Sequence, residues 1–343
     1  VERKLEKLVS GMDHKERLPS ILDMMKHFNV SQSTLDNSLR RLTDRNMITK
    51  RRGSGIYVNS PKPKVRRTIA VVVSSLNDRF SSLLLKGLEE RLNAAGYRML
   101  LCGGYEEFKR ELAMLDSVKN MIDALIVFPV SSSVEKPEYI NFFQEMKQQL
   151  SLPMVFVDIA LPGVAGSFVG FTQYEAFRSV TDRLLKKMPD SRIVYIGNMS
   201  SLVGVERVQG FKHAVRDNRS DFSGVFALNV DPDFPAMVVP WDAIQSSSQL
   251  VFIVADPRAL TKLTRELYSR NMRVPEDALV ISIAEPDYHD YVNIPIIALV
   301  KPSVELGRKA AELCLDKIKD NKVQTIKYDL RTEVPKELEK FLA

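Results

Sequence analysis

Between Ser31 and Arg41 the chain sets short polar side chains next to arginines: Ser31, Gln32, Ser33 and Thr34 fall within one turn, and Asn37, Arg40 and Arg41 follow at helical steps. Hydroxyls and amides of this size suit base edges and phosphate oxygens, and arginine suits guanine or phosphate. A second group, Arg51, Arg52, Gly53, Ser54 and Gly55, makes a basic glycine turn between two short apolar runs. The chemistry on offer is recognition of double-stranded DNA.

These groups need elements to hold them. Ser20 can cap a helix carrying Leu22, Met25 and Phe28 on one face, and Asn29 stands where the chain must turn left-handed. Ser31 can cap a second helix whose Leu35, Leu39 and Leu42 recur at steps of four and three, one buried stripe that leaves the polar set outward. Met47 and Ile48 on one side of the glycine turn, and Ile56, Tyr57 and Val58 on the other, read as two strands of a wing. Gly53 and Gly55 are expected at positive φ. The DNA-binding set is therefore Ser31, Gln32, Ser33, Thr34, Asn37, Arg40, Arg51, Arg52, Gly53, Ser54 and Gly55, on a winged helix-turn-helix spanning 1–60.

Leu18, Pro19, Ser20, then Val30, Ser31, then Arg52, Gly53, Ser54, Gly55, and finally Tyr57 and Val58 resemble the signature of the gluconate-repressor (GntR) class of bacterial regulators. The chain departs from that class at Leu22, Gln32 and Asp36, where the class usually carries arginine. A helix-turn-helix can also serve as a protein–protein module, with the same leucine core. Charge points to nucleic acid: residues 1–67 hold 16 Lys and Arg against 7 Asp and Glu, whereas the remainder holds 33 against 36, within a chain total of +6. A basic head on a mildly acidic body is a docking surface rather than general adhesiveness.

At 343 residues and 45% hydrophobic side chains, the chain can form such a head and a two-lobed body. No apolar run approaches the roughly 20 residues that span a bilayer, and no signal peptide precedes the head, so a cytoplasmic location and no membrane partner are expected. Cys102 and Cys314 give no disulfide framework, and His14, His27, His213 and His289 lack ligand spacing. Neither a phosphate-cradling glycine motif nor a nucleophile elbow is present, so no metal, cofactor or catalytic residue is expected.

Residues 61–67, with Pro61 and Pro63 among lysines, read as a stiff solvated linker. Strand and helix then alternate through Thr68–Ser74, Ser81–Ala95, Arg98–Cys102, Phe108–Asn120, Ala124–Val130 and Met154–Asp158. The cycle restarts at Phe168–Gly170 and runs through Tyr174–Lys187, Ile193–Gly197, Glu206–Asp217, Val225–Leu228, Leu250–Ala255, Pro257–Arg270 and Leu279–Ile283. The fold class is α/β, with parallel sheets in two lobes and a cleft between them.

The body is similar to the effector domain of the lactose/galactose-repressor (LacI/GalR) family and its periplasmic sugar-binding relatives. The resemblance rests on Asn77, Asp78, Arg79, Phe80; Lys86, Gly87, Leu88, Glu89; Val155, Phe156, Val157, Asp158; Glu206, Arg207, Val208, Gln209, Gly210, Phe211; Val274, Pro275, Glu276, Asp277; and Glu305 to Ala311. It implies a periplasmic-binding-protein-like domain over 68–330 for effector binding and dimerisation. Lobe crossings are implied near 159–164, 288–294 and 319–325, with a C-terminal tail at 331–343. It also implies effector contacts: Phe80 stacking on a sugar, Arg207 forking onto ligand oxygens, and polar contacts from Asp78, Asp158 and Asp256. Each has a structural alternative, Phe80 as core, Arg207 as partner of a structural carboxylate, and Asp256 as a helix cap before Pro257. Where the family has Gly-Phe-Asp-Asp, this chain has Ser282, Ile283, Ala284 and Glu285, so Glu285 is the remaining candidate carboxylate.

A GntR head on a LacI-like body resembles a known minority architecture that controls carbohydrate use. The partners it implies are operator double-stranded DNA, a monosaccharide or derivative as effector, and a second copy in a homodimer. A sugar-binding transport receptor is the alternative, which the basic head and missing signal disfavour. An enzyme is disfavoured by the absent motifs.

Overall fold

The computed structural model describes residues 1–12, 15–45, 47–51, 53–59, 67–103, 107–199, 201–218, 225–229, 239–244, 249–320 and 323–342. Arg52 and linker residues 61–66 lie outside them. The chain divides into two compact units, Val1–Arg67 and Thr68–Ala343.

The first unit contains α1 (Glu2–Ser10), α2 (Ile21–Phe28), α3 (Gln32–Asp44) and an antiparallel pair, β1 (Ile48–Arg51) and β2 (Gly55–Val58). Local chemistry sets its boundaries. The Ser20 hydroxyl accepts from the Asp23 N–H at 3.2 Å, Asn29 closes α2 at φ 50°, and the Ser31 hydroxyl accepts from the Thr34 N–H at 3.4 Å. Leu35, Leu39 and Leu42 are fully buried with Leu5, Val9, Met24, Ile48 and Val58. The apolar face of α2 differs from the expected one. Leu22 is 68% exposed, and Met24 goes inward beside Ile21, Met25 and Phe28, because i, i+3, i+4, i+7 follows the helix pitch whereas 22, 25, 28 drifts off it. α1 was not foreseen; it adds Leu5 and Val9 to the core and sends Glu2 and Glu6 to Arg41 of α3 and to Arg45, which follows that helix. The wing also has an unforeseen third edge. Lys15 and Leu18 donate backbone N–H groups to Val58 and Ile56 carbonyls, each at 2.8 Å, and Val58 donates back to Glu16 at 2.9 Å.

The second unit runs β3 (Thr68–Val73), α4 (Arg79–Ala94), β4 (Arg98–Gly103), α5 (Phe108–Val118), β5 (Ala124–Val127), α6 (Pro137–Leu150), β6 (Met154–Val157), β7 (Ser167–Phe171), α7 (Gln173–Lys187), β8 (Arg192–Gly197), α8 (Leu202–Asn218), β9 (Val225–Asn229), α9 (Trp241–Ile244), β10 (Leu250–Val254), α10 (Pro257–Ser269), β11 (Ala278–Ala284), β12 (Ile297–Val300), α11 (Ser303–Asp320), β13 (Thr325–Tyr328) and β14 (Arg331–Glu333). Central strands are buried on both faces, as helix-covered parallel sheets require. No helix among the described residues is long and apolar enough to cross a membrane.

The two six-stranded sheets share one order. The N-terminal lobe runs β4-β3-β5-β6-β7-β13, all parallel, and the C-terminal lobe runs β9-β8-β10-β11-β12-β14, with only β14 antiparallel. This order moves all three crossings. β7 pairs with β6, so it closes the first lobe rather than opening the second, and the first crossing is at Thr172 instead of 159–164. The second lies at Lys301–Pro302, between β12 and α11, instead of 288–294; the third lies at Asp329–Leu330 instead of 319–325. Hydrophobic periodicity reveals a strand but not which neighbour it pairs with, hence the displacement. The segment 331–343 is likewise no tail: β14 pairs with β12, and Leu338 and Leu342 are buried in the core. First and third crossings are tied together, since the Thr172 N–H donates to the Tyr328 carbonyl at 2.9 Å and its hydroxyl to Asp329 at 2.8 Å.

Glycines let paired helices approach closely. A Cβ on Gly307 of α11 would lie 2.2 Å from the Leu84 carbonyl of α4, and one on Gly210 of α8 would lie 2.3 Å from the Tyr174 carbonyl of α7. The N-terminal lobe also buries a carboxyl. Glu111 of α5 is 1% exposed and accepts from the Tyr139 hydroxyl, and burial pushes it up to about 7 despite that hydrogen bond. The folded chain therefore holds this proton more tightly than the unfolded chain, whose glutamate titrates near 4.5. Stability should fall as pH rises through that window, by roughly 3 kcal/mol in all, and level off above it. Urea unfolding across pH 4 to 8 checks this, and Glu111→Gln should flatten that part of the profile.

Candidate nucleic-acid interface and ligand cleft

The start of α3 presents a compact polar face. The Ser31 hydroxyl lies 3.0 Å from that of Ser33 and 2.9 Å from that of Thr34, and Gln32, Ser33, Thr34, Asn37 and Arg40 are all exposed. The leucine stripe on the opposite side sets this orientation. Arg41, though outward, is engaged by Glu2 at 2.8 Å. Asp36 leans toward the wing, 3.8 Å from the Lys50 ammonium.

The wing turn is built on its glycines. Gly53 has φ 72° and Gly55 φ 123°, where a side chain is strained, and a Cβ on Gly55 would fall 2.7 Å from the Arg17 Nε. Tyr57 braces the turn: its hydroxyl donates to the Ser54 carbonyl at 3.1 Å and meets the Ser54 hydroxyl at 2.7 Å, while the exposed Arg51 guanidinium sits 5.0 Å from its ring centroid. Arg52 cannot be placed, lying outside the described residues. Arg17, brought beside the turn by the third edge, was missed by sequence reading, because that edge has no strand-like run of its own.

In the second unit, Phe80, Asp158 and Glu285 gather around a residue the sequence reading passed over. Lys301, at the second crossing, pairs with Glu285 at 2.6 Å, and its ammonium lies 4.3 Å from the Phe80 ring centroid. The Ser303 hydroxyl also donates to Glu285. Phe80 is 7% exposed and packs edge-on against Phe128 at 5.1 Å, so one face that could stack on a sugar is held by a cation. Asp158 adopts φ 61° at the end of β6 and accepts from the Gln173 amide at 3.3 Å. Burial pushes its carboxyl up, against the pull of the Arg207 and Lys301 charges.

Gln173 carries the connection onward, its oxygen accepting from the Arg207 Nε at 2.8 Å, while another Arg207 N–H donates to the Ala255 carbonyl at 2.6 Å. Burial lowers the Arg207 pKa, countered first by Asp158. Asp256 caps α10, accepting from the Arg258 N–H at 2.9 Å and from the Arg258 guanidinium. Asp78 caps α4, with both oxygens turned to Ser81 at 2.7 and 2.8 Å. The Tyr195 hydroxyl is buried without a hydrogen-bond partner among the described residues, within electrostatic reach of Arg207 and Asp256. At the rim, Arg79 of the N-terminal lobe binds Asp287 of the C-terminal lobe through two N–H groups.

Of the six residues named from sequence, four enter the polar array, Phe80 and Glu285 through Lys301 and Asp158 and Arg207 through Gln173, whereas Asp78 and Asp256 cap helices beside it. Lys301 and Gln173 complete the array; a lysine closing the apolar run Ile297–Val300 was the available signal for the first. Among the described residues, no group of His, Cys, Asp and Glu is arranged to hold a metal ion.

Residues 1–58 match the family described as bacterial regulatory proteins, gntR family, and residues 190–335 match the periplasmic binding protein-like domain. The arabinose metabolism transcriptional repressor of Geobacillus stearothermophilus is 22% identical over 330 residues, covering 93% of this chain and 90% of that protein. The HTH-type transcriptional repressor PurR of Vibrio atlanticus is 23% identical over 282 residues, covering 80% of this chain and 81% of that protein. Among solved structures, a LacI family transcriptional regulator from Enterococcus faecium with bound ribose has a TM-score of 0.64 at 19% identity, covering 78% of this chain and 96% of that one.

Two outcomes follow. Gly55→Val should strain the wing by roughly 1–3 kcal/mol, lowering duplex affinity in a gel-shift titration while thermal unfolding of the second unit is unchanged. Lys301→Met should leave Glu285 buried and unpaired, destabilising the body by about 3–5 kcal/mol, and the double change Lys301→Met, Glu285→Leu should recover most of that in urea unfolding.

Proposed function

We propose that this chain, a gntR-type helix-turn-helix domain joined to a periplasmic-binding-protein-like domain, is a sugar-responsive transcriptional repressor. The head binds operator DNA through the α3 face and the wing. A small polyhydroxylated effector binds in the cleft and alters operator affinity by favouring one arrangement of the lobes. The protein works as a homodimer in the cytoplasm, each head on one half-site, and catalyses no reaction. An effector shifts the equilibrium only through different affinities for the two arrangements.

The observation that carries this reading is the Asp158–Gln173–Arg207 chain. Asp158 belongs to the N-terminal lobe, Arg207 to the C-terminal lobe, and Gln173 follows the first crossing. A sugar hydroxyl donating to Asp158 and accepting from Arg207 would therefore join the lobes at their pivot. The relatives support it: one is named for arabinose metabolism, and one neighbouring structure holds ribose.

Thermal-shift screening of free sugars identifies the effector, since a ligand at 100 times its Kd adds about 2.7 kcal/mol of stability. Arg207→Ala should then cost roughly 1.5–3 kcal/mol of effector binding, one to two orders of magnitude in Kd by calorimetry. Operator affinity without effector should stay within about twofold of wild type. A large fall in melting temperature with unchanged effector response would instead make Arg207 a scaffold residue.

A further inference from the structure

The first two turns of α3 carry one acidic side chain on their outward face. Asp36 lies one turn after Gln32 and one turn before Arg40, within the polar face, and its side chain is 44% exposed. Its cation, Lys50, stands 3.8 Å away and is 46% exposed, a contact at the limit of an ion pair between two hydrated groups. Such a pair contributes little and breaks readily when a better partner arrives.

A carboxylate turned toward DNA is repelled by the phosphates, a cost offset only where a base edge donates a hydrogen bond to it. The major groove offers two amino donors, N4 of cytosine and N6 of adenine. Adenine sets the acceptor N7 beside its amino group, where it opposes the second carboxylate oxygen. The cytosine amino group has an acceptor on one side only, O6 of its paired guanine, with C5–H on the other, whereas that of adenine lies between N7 and the thymine O4. Asp36 leans toward β1, and the neighbouring Asn37 and Arg40 are exposed to other contacts.

Resting on the DNA-binding reading above, we propose that Asp36 is a specificity-determining residue that accepts a hydrogen bond from N4 of a cytosine in each operator half-site. Lys50 is its resting partner in the free protein and moves to phosphate in the complex. The cytosine is then read by charge, and a guanine or thymine at that position would present an acceptor to a carboxylate.

Selection from a random duplex pool, sequenced for the full-length wild type, Asp36→Ala, Asp36→Asn and Lys50→Ala, tests this. All four proteins should melt alike, because both side chains are near half-exposed. Wild type should enrich a motif with a symmetric cytosine, and Asp36→Ala should lose preference at that position by roughly tenfold while the rest of the motif persists. Asp36→Asn should move the preference toward adenine, which an amide matches through N6 and N7. Lys50→Ala should keep the cytosine and weaken all sequences evenly. An unchanged motif in Asp36→Ala overturns the proposal alone. Loss of the same cytosine in Lys50→Ala overturns it too, since Asp36 would then only be anchoring the wing. If wild type enriches no motif, the DNA-binding reading falls and takes this proposal with it.

Discussion

Buried charge at the lobe crossings is the constraint around which the body is arranged. Lys301 and Glu285 are each less than a tenth exposed and face each other across 2.6 Å. Neither is stable there alone, because removing one leaves an uncompensated ion in a poorly polarisable interior. The end of β11, which holds Glu285, and the second crossing, which holds Lys301, therefore have a fixed relation. Phe80 packs against the same ammonium, so the start of α4 in the other lobe joins this fixed point. Asp158 and Arg207 depend on a neutral relay instead, with Gln173 donating to one and accepting from the other. A net-neutral polar partner can insert into such a relay at lower cost than into a closed ion pair.

The head and the body solve different problems with the same economy of parts. In the head, Glu2 and Glu6 engage Arg41 and Arg45 along one flank of α3, whereas Arg40 stays exposed on the polar face. In the body, Gly87, Gly210 and Gly307 remove side chains where helices cross, and backbone meets backbone. One lobe thus carries α4 against α11 and the other α7 against α8, and the two lobes repeat a single strand order.

Much of this was legible in the chain because its causes are local. Ser20 and Ser31 cap, Asn29 and Gly53 take positive φ, and apolar runs separated by amphipathic stretches announce parallel strands. What was lost depends on partners distant in sequence. Phe168–Gly170 reads as a strand, yet nothing in its residues says that this segment pairs with Val155–Val157 and so belongs to the first lobe. Helix α6 was passed over although Tyr139, Phe143 and Met146 recur at helical spacing behind Pro137. Leu22 is the exception to this rule, since the spacing of Ile21, Met24, Met25 and Phe28 fits one helix face better than Leu22, Met25 and Phe28 do, and the error lay in the reading of a local pattern. Lys301 and Gln173 escaped notice for the general reason: lysine and glutamine are surface residues by habit, and their burial is a property of the assembled lobes.

The bonds between Thr172 and the Tyr328–Asp329 segment reach beyond local stability. Three connections flexing independently would let one lobe rock, slide and twist on the other. Welding the first to the third leaves two points of attachment, the joined pair and the Lys301–Pro302 segment, and two points define a line. Rotation about that line is the relative movement the backbone opposes least, as in a door rather than a hammock, so an occupant of the cleft would have chiefly one angle to set.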